Sequence, residues 1–123
     1  FNMPLELGLF LGCQRFGSPN QSKKRILILD RDQYRYRAFI SDVSGQDIRA
    51  HAGEPERAIR EVRDWLRVAS NRARLPGGAE VIQHYHKFRR ALPRLCAVLA
   101  LEPDRLTFTD LLNVISNWLD AVR

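Results

Sequence analysis

Glu6 is the lone carboxylate in an otherwise apolar opening, FNMPLELGLFLGCQRFG. A carboxylate in such a setting either acts on a bound ligand or serves only the helix that carries it. At ~100° per residue, Glu6 sits on the flank of a helical stripe formed by Leu5, Leu9, Gly12 and Phe16. That placement suits a half-buried acid facing a cleft. A purely structural alternative stands beside it. Asn2 can cap the helix, Pro4 is tolerated in its first turn, and Glu6 gains from the positive end of the helix dipole.

Other groups extend the list. Asp30 ends the apolar run RILILD, where it can meet a ribose hydroxyl or cap the next helix. In RDQYRYR, Arg31, Arg35 and Arg37 can hold phosphates by paired hydrogen bonds, while Tyr34 and Tyr36 can stack a base. Gln46, Asp47 and His51 follow Gly45 in a polar loop, a common home for binding groups. His84 and His86 look like a metal pair, but two residues apart on a helix they diverge by about 200°, so no metal is expected. Cys13 lacks a basic neighbour at helical spacing and is expected to be packed.

Composition narrows the classes. The chain has 123 residues, 45% of them hydrophobic, and only two cysteines, Cys13 and Cys96. One domain with free thiols and a cytoplasmic setting is expected, not a disulfide scaffold. LFLGC superficially resembles a lipoprotein cleavage site, yet no base precedes the apolar run, and it is too short for a bilayer span of about 20 residues. No membrane partner is expected. The net charge is +6. Much of the charge is internally balanced in GEPERAIREVRDWLRVAS, through Glu56 with Arg60, Arg57 with Glu61 and Arg60 with Asp64. The rest falls in short clusters, including KKR at 23–25 and KFRR at 87–90, without a nucleic-acid-binding motif, so a solvated basic surface is expected and nucleic acid is not.

These groups must be held by elements. The pattern predicts a helix over Met3–Phe16, whose glycines at 8 and 12 suggest close approach to another backbone. GSPNQSKK is a loop, and RILILD at 25–30 is a strand buried on both faces. A helix follows through Tyr36, Phe39, Ile40 and Val43. QDIRAHA is a brief strand, and an amphipathic helix covers 55–70. LPGG breaks the chain. A helix with Val81, Ile82, Tyr85, Phe88 and Leu92 continues until Pro93, which kinks it or starts a new turn, with Leu95, Cys96 and Leu99 following. The last helix starts from a capping box of Thr107 and Asp110, with Leu111, Leu112, Ile115, Trp118, Leu119 and Val122 as its core stripe.

The segment NMPLELGLFLG, a loop and KKRILILD together resemble the part of nucleoside 2-deoxyribosyltransferases and TIR-like nucleotide-binding domains that carries a catalytic glutamate early in a helix. The resemblance covers residues 2–30 of 123. SDVSGQDIRAHAGEP, with IREVRDWL, also resembles bacterial proteins bearing such a domain. It implies an α/β fold, a three-layer Rossmann- or flavodoxin-like parallel sheet of which this chain holds the helix-rich C-terminal part. Residues 1–123 would then be the C-terminal portion of one TIR-like domain, its neighbouring strands lying upstream of Phe1. The implied activity is N-glycosidic cleavage or transfer on NAD or a nucleoside, which serve as substrate and not as cofactor. Glu6 would be catalytic, and Asn2, Asp30, Arg31, Tyr34, Gln46 and Asp47 would bind the ligand. The alternative is a non-catalytic nucleotide-binding or protein-interaction module, with homo-oligomers expected of either.

Overall fold

A computed structural model describes residues 2–35, 47–70 and 74–122. Its elements are α1 (Asn2–Phe16), α2 (Pro19–Ser22), β1 (Leu27–Asp30), β2 (Asp47–Ala50), α3 (Pro55–Ser70), α4 (Gly78–Val98), a 3-10 turn (Pro103–Arg105) and α5 (Phe108–Ala121). The fold is mixed α/β and predominantly helical, with a two-stranded parallel sheet among the described residues. The chain divides into two compact units, Phe1–Leu75 and Pro76–Arg123. The division falls inside LPGG, whose proline and glycines interrupt regular structure.

In the first unit, β1 and β2 pair in register from Leu27 with Asp47 to Asp30 with Ala50. All four β1 residues are half-buried, short of the two-sided burial expected, because β2 is its single partner among the described residues. The helix expected over Tyr36–Val43 lies outside the described residues.

Helix α1 forms where the pattern places it, but it turns a different face inward. Leu7 is buried, with Phe10, Leu11 and Gln14 half-buried, while Leu5, Leu9 and Phe16 are 66%, 63% and 83% exposed. Leu5 and Leu9 share one face of the helix and Leu7 and Leu11 the opposite one, so spacing alone does not choose the buried face. Among the described residues the expected close approach at Gly8 and Gly12 is not seen. A Cβ at either would meet nothing within 4 Å, whereas at Gly17 it would meet the Cys13 carbonyl oxygen and the Gln21 Cβ at 2.9 Å. Gly17 therefore permits the tight passage from α1 into α2, the short helix inside the expected loop. The Gln14 amide then donates to the Lys24 carbonyl at 2.8 Å, tying α1 to the segment entering β1. Cys13 is exposed and not packed.

The second unit holds the clearest core. Phe88, Leu92 and Cys96 of α4 pack with Val114 and Trp118 of α5, flanked by Ala91, Leu95, Leu101, Leu106, Leu111 and Ile115. The Phe88 and Trp118 rings meet edge-on with centroids 5.5 Å apart, a favoured aromatic geometry. On α5 the inward stripe is Leu111, Val114, Ile115 and Trp118. Leu112, Leu119 and Val122, expected in the core, are 47%, 41% and 49% exposed.

Pro93 neither ends α4 nor opens a new turn, since the helix continues to Val98. Pro93 is exposed, so the carbonyl deprived of its partner lies on the solvent side, where water can satisfy it. The helix stops at Val98 through a pair of backbone bonds. Leu101 N–H donates to the Cys96 carbonyl at 2.9 Å and Ala100 N–H to that of Ala97 at 3.2 Å. This is a Schellman motif with alanine, φ +53°, in the left-handed position usually taken by glycine.

Candidate functional site at the carboxyl ends of the strands

The best-organised polar cluster among the candidates starts where β1 ends. Asp30 closes the strand with its side chain 12% exposed, and its Oδ1 accepts two hydrogen bonds. The Arg35 Nε–H donates at 2.8 Å and the Arg31 backbone N–H at 2.7 Å. Asp30 thus pins the following turn; the helix it was expected to cap lies outside the described residues. Tyr34, at the crest of this turn, has φ +66° and is 54% exposed. A bulky residue held in the left-handed region is uncommon and costs of order 1–3 kcal/mol, a strain that recurs at binding sites.

The parallel pairing brings a second turn alongside. His51 N–H donates to the Asp30 carbonyl at 2.9 Å and Ala52 N–H to the Arg31 carbonyl at 2.7 Å. These bonds extend the ladder past the end of each strand. Ala52 (φ +54°) and Gly53 (φ +78°) then reverse the chain, and the Gly53 N–H donates to His51 Nδ1 at 3.2 Å. Helix α3 starts two residues later, at Pro55. Arg49 of β2 reaches Glu61 of α3 at 3.8 Å, which holds the helix beside the sheet. Glu61 was expected to pair with Arg57, and Asp64, expected to pair with Arg60, lies 2.9 Å from Arg63.

Of the predicted site residues, Asp30, Arg31 and Tyr34 therefore share one place, together with Arg35. Asp47 does not join them. It pairs with Leu27 at the opposite end of the strands, about 10 Å from the Asp30 end at ~3.3 Å per residue. Asn2 is the first residue of α1 and not the cap before it. Gln46, Arg37 and Tyr36 lie outside the described residues. Glu6 is exposed on α1, not half-buried, and none of the described hydrogen bonds or ion pairs involves it. It also sits past the first turn of α1, which contains no acid, so the dipole reading loses most of its force.

Sequence reasoning placed His51 in an undifferentiated loop. Its backbone is in fact bonded to Asp30 across the sheet, and the signal available was the left-handed Gly53 two residues on. His84 meets Trp118 edge-on at 6.1 Å, and His86 stacks at a tilt on Tyr85 at 5.4 Å. In the second unit, an open groove of about 360 Å³ is lined by Leu99, Leu101, Asp110, Asn113, Ser116 and Asn117. Its one carboxylate is already committed to Thr107, through a 2.6 Å bond from the hydroxyl and a 3.0 Å bond from the backbone N–H.

Chemically, the cluster at the strand ends offers a fixed carboxylate, an exposed guanidinium on Arg31 and an exposed phenol ring. These suit a hydroxyl, an anionic group and a flat ring respectively. Among the described residues no helix is long and apolar enough to cross a membrane. Comparison with family models, with curated proteins and with solved structures finds no match to this chain.

Proposed function

We propose that the chain is a nucleotide-binding module whose site is the Asp30 cluster, in the manner of the TIR-like domains that its first 30 residues resemble. The observation that carries the reading is the Asp30 carboxylate, largely buried and held by Arg35 and the Arg31 N–H at the carboxyl ends of two parallel strands. Parallel sheets collect ligands at that end, beside the helix N-termini that follow. In this reading Asp30 accepts hydrogen bonds from ribose hydroxyls, Arg31 meets a phosphate and Tyr34 stacks on the base.

A second reading, N-glycosidic cleavage or transfer by Glu6, keeps one observation in its favour. The Glu6 carboxylate is exposed and unengaged among the described contacts, and so is open to a substrate. It lacks the partly dry surroundings that make a carboxylate effective towards an oxocarbenium ion.

One experiment separates the two. Thermal melts are recorded with NAD, ATP and a nucleoside panel, alongside an assay for released nicotinamide or free base. A ligand at a hundredfold excess over its dissociation constant stabilises by about 2.7 kcal/mol, a clear rise in melting temperature. The module reading expects that rise in the wild type, its loss in Asp30→Asn, and its retention in Glu6→Gln without any base release. Base release that disappears in Glu6→Gln would establish the enzyme instead. A panel that neither shifts the melt nor is cleaved sinks both readings.

A further inference from the structure

The cations of the second unit are unevenly placed. Four of them, Lys87, Arg89, Arg90 and Arg94, lie in the later part of α4. The acids lie elsewhere: Glu80 in the first turn of α4, Glu102 and Asp104 at the 3-10 turn, Asp110 and Asp120 on α5. At ~100° per residue, Gln83, His86, Lys87, Arg90 and Arg94 fall within an arc of about 100°, opposite Phe88, Leu92 and Cys96. All five are exposed. None of the described ion pairs or hydrogen bonds engages Lys87, Arg90 or Arg94. Glu80 borders the arc but lies about 10 Å N-terminal of Lys87 along the axis.

KFRR is unremarkable as a cluster, since Phe88 points into the core and Arg89 to a different side. The spacing of the remaining cations, 87, 90 and 94, is what aligns them into a stripe about 10 Å long. The stripe has no apolar member. A membrane-surface helix needs a free apolar face, and that of α4 is occupied by Val114 and Trp118 of α5. A protein partner would ordinarily find an aromatic or aliphatic anchor at the centre of its patch, and none is present here. A polyanion needs neither. Duplex nucleic acid carries a charge about every 1.7 Å of axis, so a 10 Å stripe spans roughly six phosphates.

We propose that the exposed face of α4, through Lys87, Arg90 and Arg94, binds the phosphodiester backbone of a nucleic acid without regard to sequence. This reverses the expectation drawn from the charge clusters alone. The site is separate from the Asp30 cluster and does not depend on it.

The test uses the full chain and fluorescence anisotropy of labelled 20-nucleotide probes, single-stranded and duplex, from about 50 to 200 mM salt. Vesicles of phosphatidylserine and phosphatidylcholine form the third arm. Each phosphate contact contributes about 0.7 (single strand) or 0.9 (duplex) to the slope of log affinity against log salt. The triple variant Lys87→Ala, Arg90→Ala, Arg94→Ala is expected to lower that slope by two to three, with an unchanged melting temperature. A control variant, Lys23→Ala, Lys24→Ala, Arg57→Ala, removes the same charge from exposed positions in the first unit and is expected to keep it. No binding of either probe at 50 mM salt would overturn the proposal. So would an unchanged slope in the triple variant, an equal loss in the control, or binding to the vesicles with none to the probes.

Discussion

The two units organise themselves by different means. In Pro76–Arg123 two helices bury Phe88, Leu92, Cys96, Val114 and Trp118 against one another, and both helix ends that border the core are closed by specific caps. In Phe1–Leu75 the one buried apolar side chain among the described residues is Leu7, and the candidate site is held by strand-end hydrogen bonds and by Arg35 on Asp30. Arg35 is 56% exposed, so that pair contributes no more than about 1 kcal/mol. Apolar burial, at about 25 cal/mol per Å², stabilises the second unit far more than this. Among the described residues, apolar burial is thus concentrated in the unit without the candidate nucleotide site, while the site rests on weak, direction-giving contacts. Binding regions are commonly drawn from the less stable part of a fold.

The largest expected effect tests that contrast at its centre. Phe88→Ala should cost about 3–5 kcal/mol, the range for emptying a packed aromatic position, whereas Leu7→Ala should fall near 2 kcal/mol. Each unit carries one tryptophan, Trp65 in the first and Trp118 in the second, so each can report alone once the other is replaced by phenylalanine. Denaturant titrations followed by Trp118 and by Trp65 should then show the first unit melting at the lower midpoint. Coincident midpoints, or a Leu7→Ala penalty as large as that of Phe88→Ala, would remove the contrast.

The same contrast governs what could be read from sequence. Thr107 with Asp110, the bounds of α3 and the strand around Leu27–Asp30 were legible because each depends on signals within a few residues: a cap, a 3.6-residue period, a short β-branched run. The buried face of α1 was not. With Leu5, Leu7, Leu9, Phe10 and Leu11 spread round the helix, the inward side is set by what the helix packs against, which spacing does not encode. Glu6 flanks either face, so the same spacing could not tell whether it would be half-buried or, as found, exposed. The place of Asp30 at a strand end was legible, yet its partners, Arg35 and the Arg31 N–H, depend on a left-handed Tyr34 that no residue preference announces. Pro93 shows the converse. A strong local breaker is carried inside α4 because it lies on the exposed side while Phe88, Leu92 and Cys96 keep the helix seated.

A smaller effect sharpens the comparison through pH. Thr107 and Asp110 form a reciprocal cap: the Asp110 N–H donates to Thr107 Oγ1 at 3.2 Å, and the Thr107 N–H and hydroxyl donate to Asp110 Oδ2. The hydroxyl and the backbone N–H of Thr107 together lower the Asp110 pKa in the folded chain. A depressed folded pKa means that the stabilisation is fully present above the ordinary aspartate range and fades as pH falls through the folded value. Thr107→Ala should cost about 1 kcal/mol at neutral pH. That deficit should narrow as the pH is lowered, because the wild type then loses the hydroxyl's bond to the Asp110 carboxylate, which the variant lacks, while both lose the backbone N–H bond. Denaturation at neutral and acid pH checks it, and a deficit independent of pH would show that Asp110 titration has no part in the cap.

The smallest effect is a gain. Ala100 occupies the left-handed C′ position of α4 at φ +53°, where a Cβ costs about 1–2 kcal/mol and glycine costs nothing. Glycine gives back part of this through a more disordered unfolded chain, about 0.4–1 kcal/mol, so Ala100→Gly should stabilise by roughly 0.5–1 kcal/mol net. Ala52, at φ +54° between the strand ends and α3, has the same backbone and should respond alike if conformation alone decides. The surroundings differ, however. The Ala100 turn is anchored by Leu101 packing on the core as well as by its bond to the Cys96 carbonyl, whereas the Ala52 turn is tied by backbone bonds to the Asp30 and Arg31 carbonyls and, among the described residues, a Cβ at Gly53 would meet nothing within 4 Å. Extra freedom at 52 therefore loosens the turn that aligns His51 and Asp30. Ala52→Gly should show the smaller gain and a faster amide exchange at His51, while Ala100→Gly leaves exchange at Leu101 slow. Equal gains with unchanged exchange at both turns would mean that the strand-end turn is as firmly held as the helix cap, and that the two units do not differ in rigidity where it matters for binding.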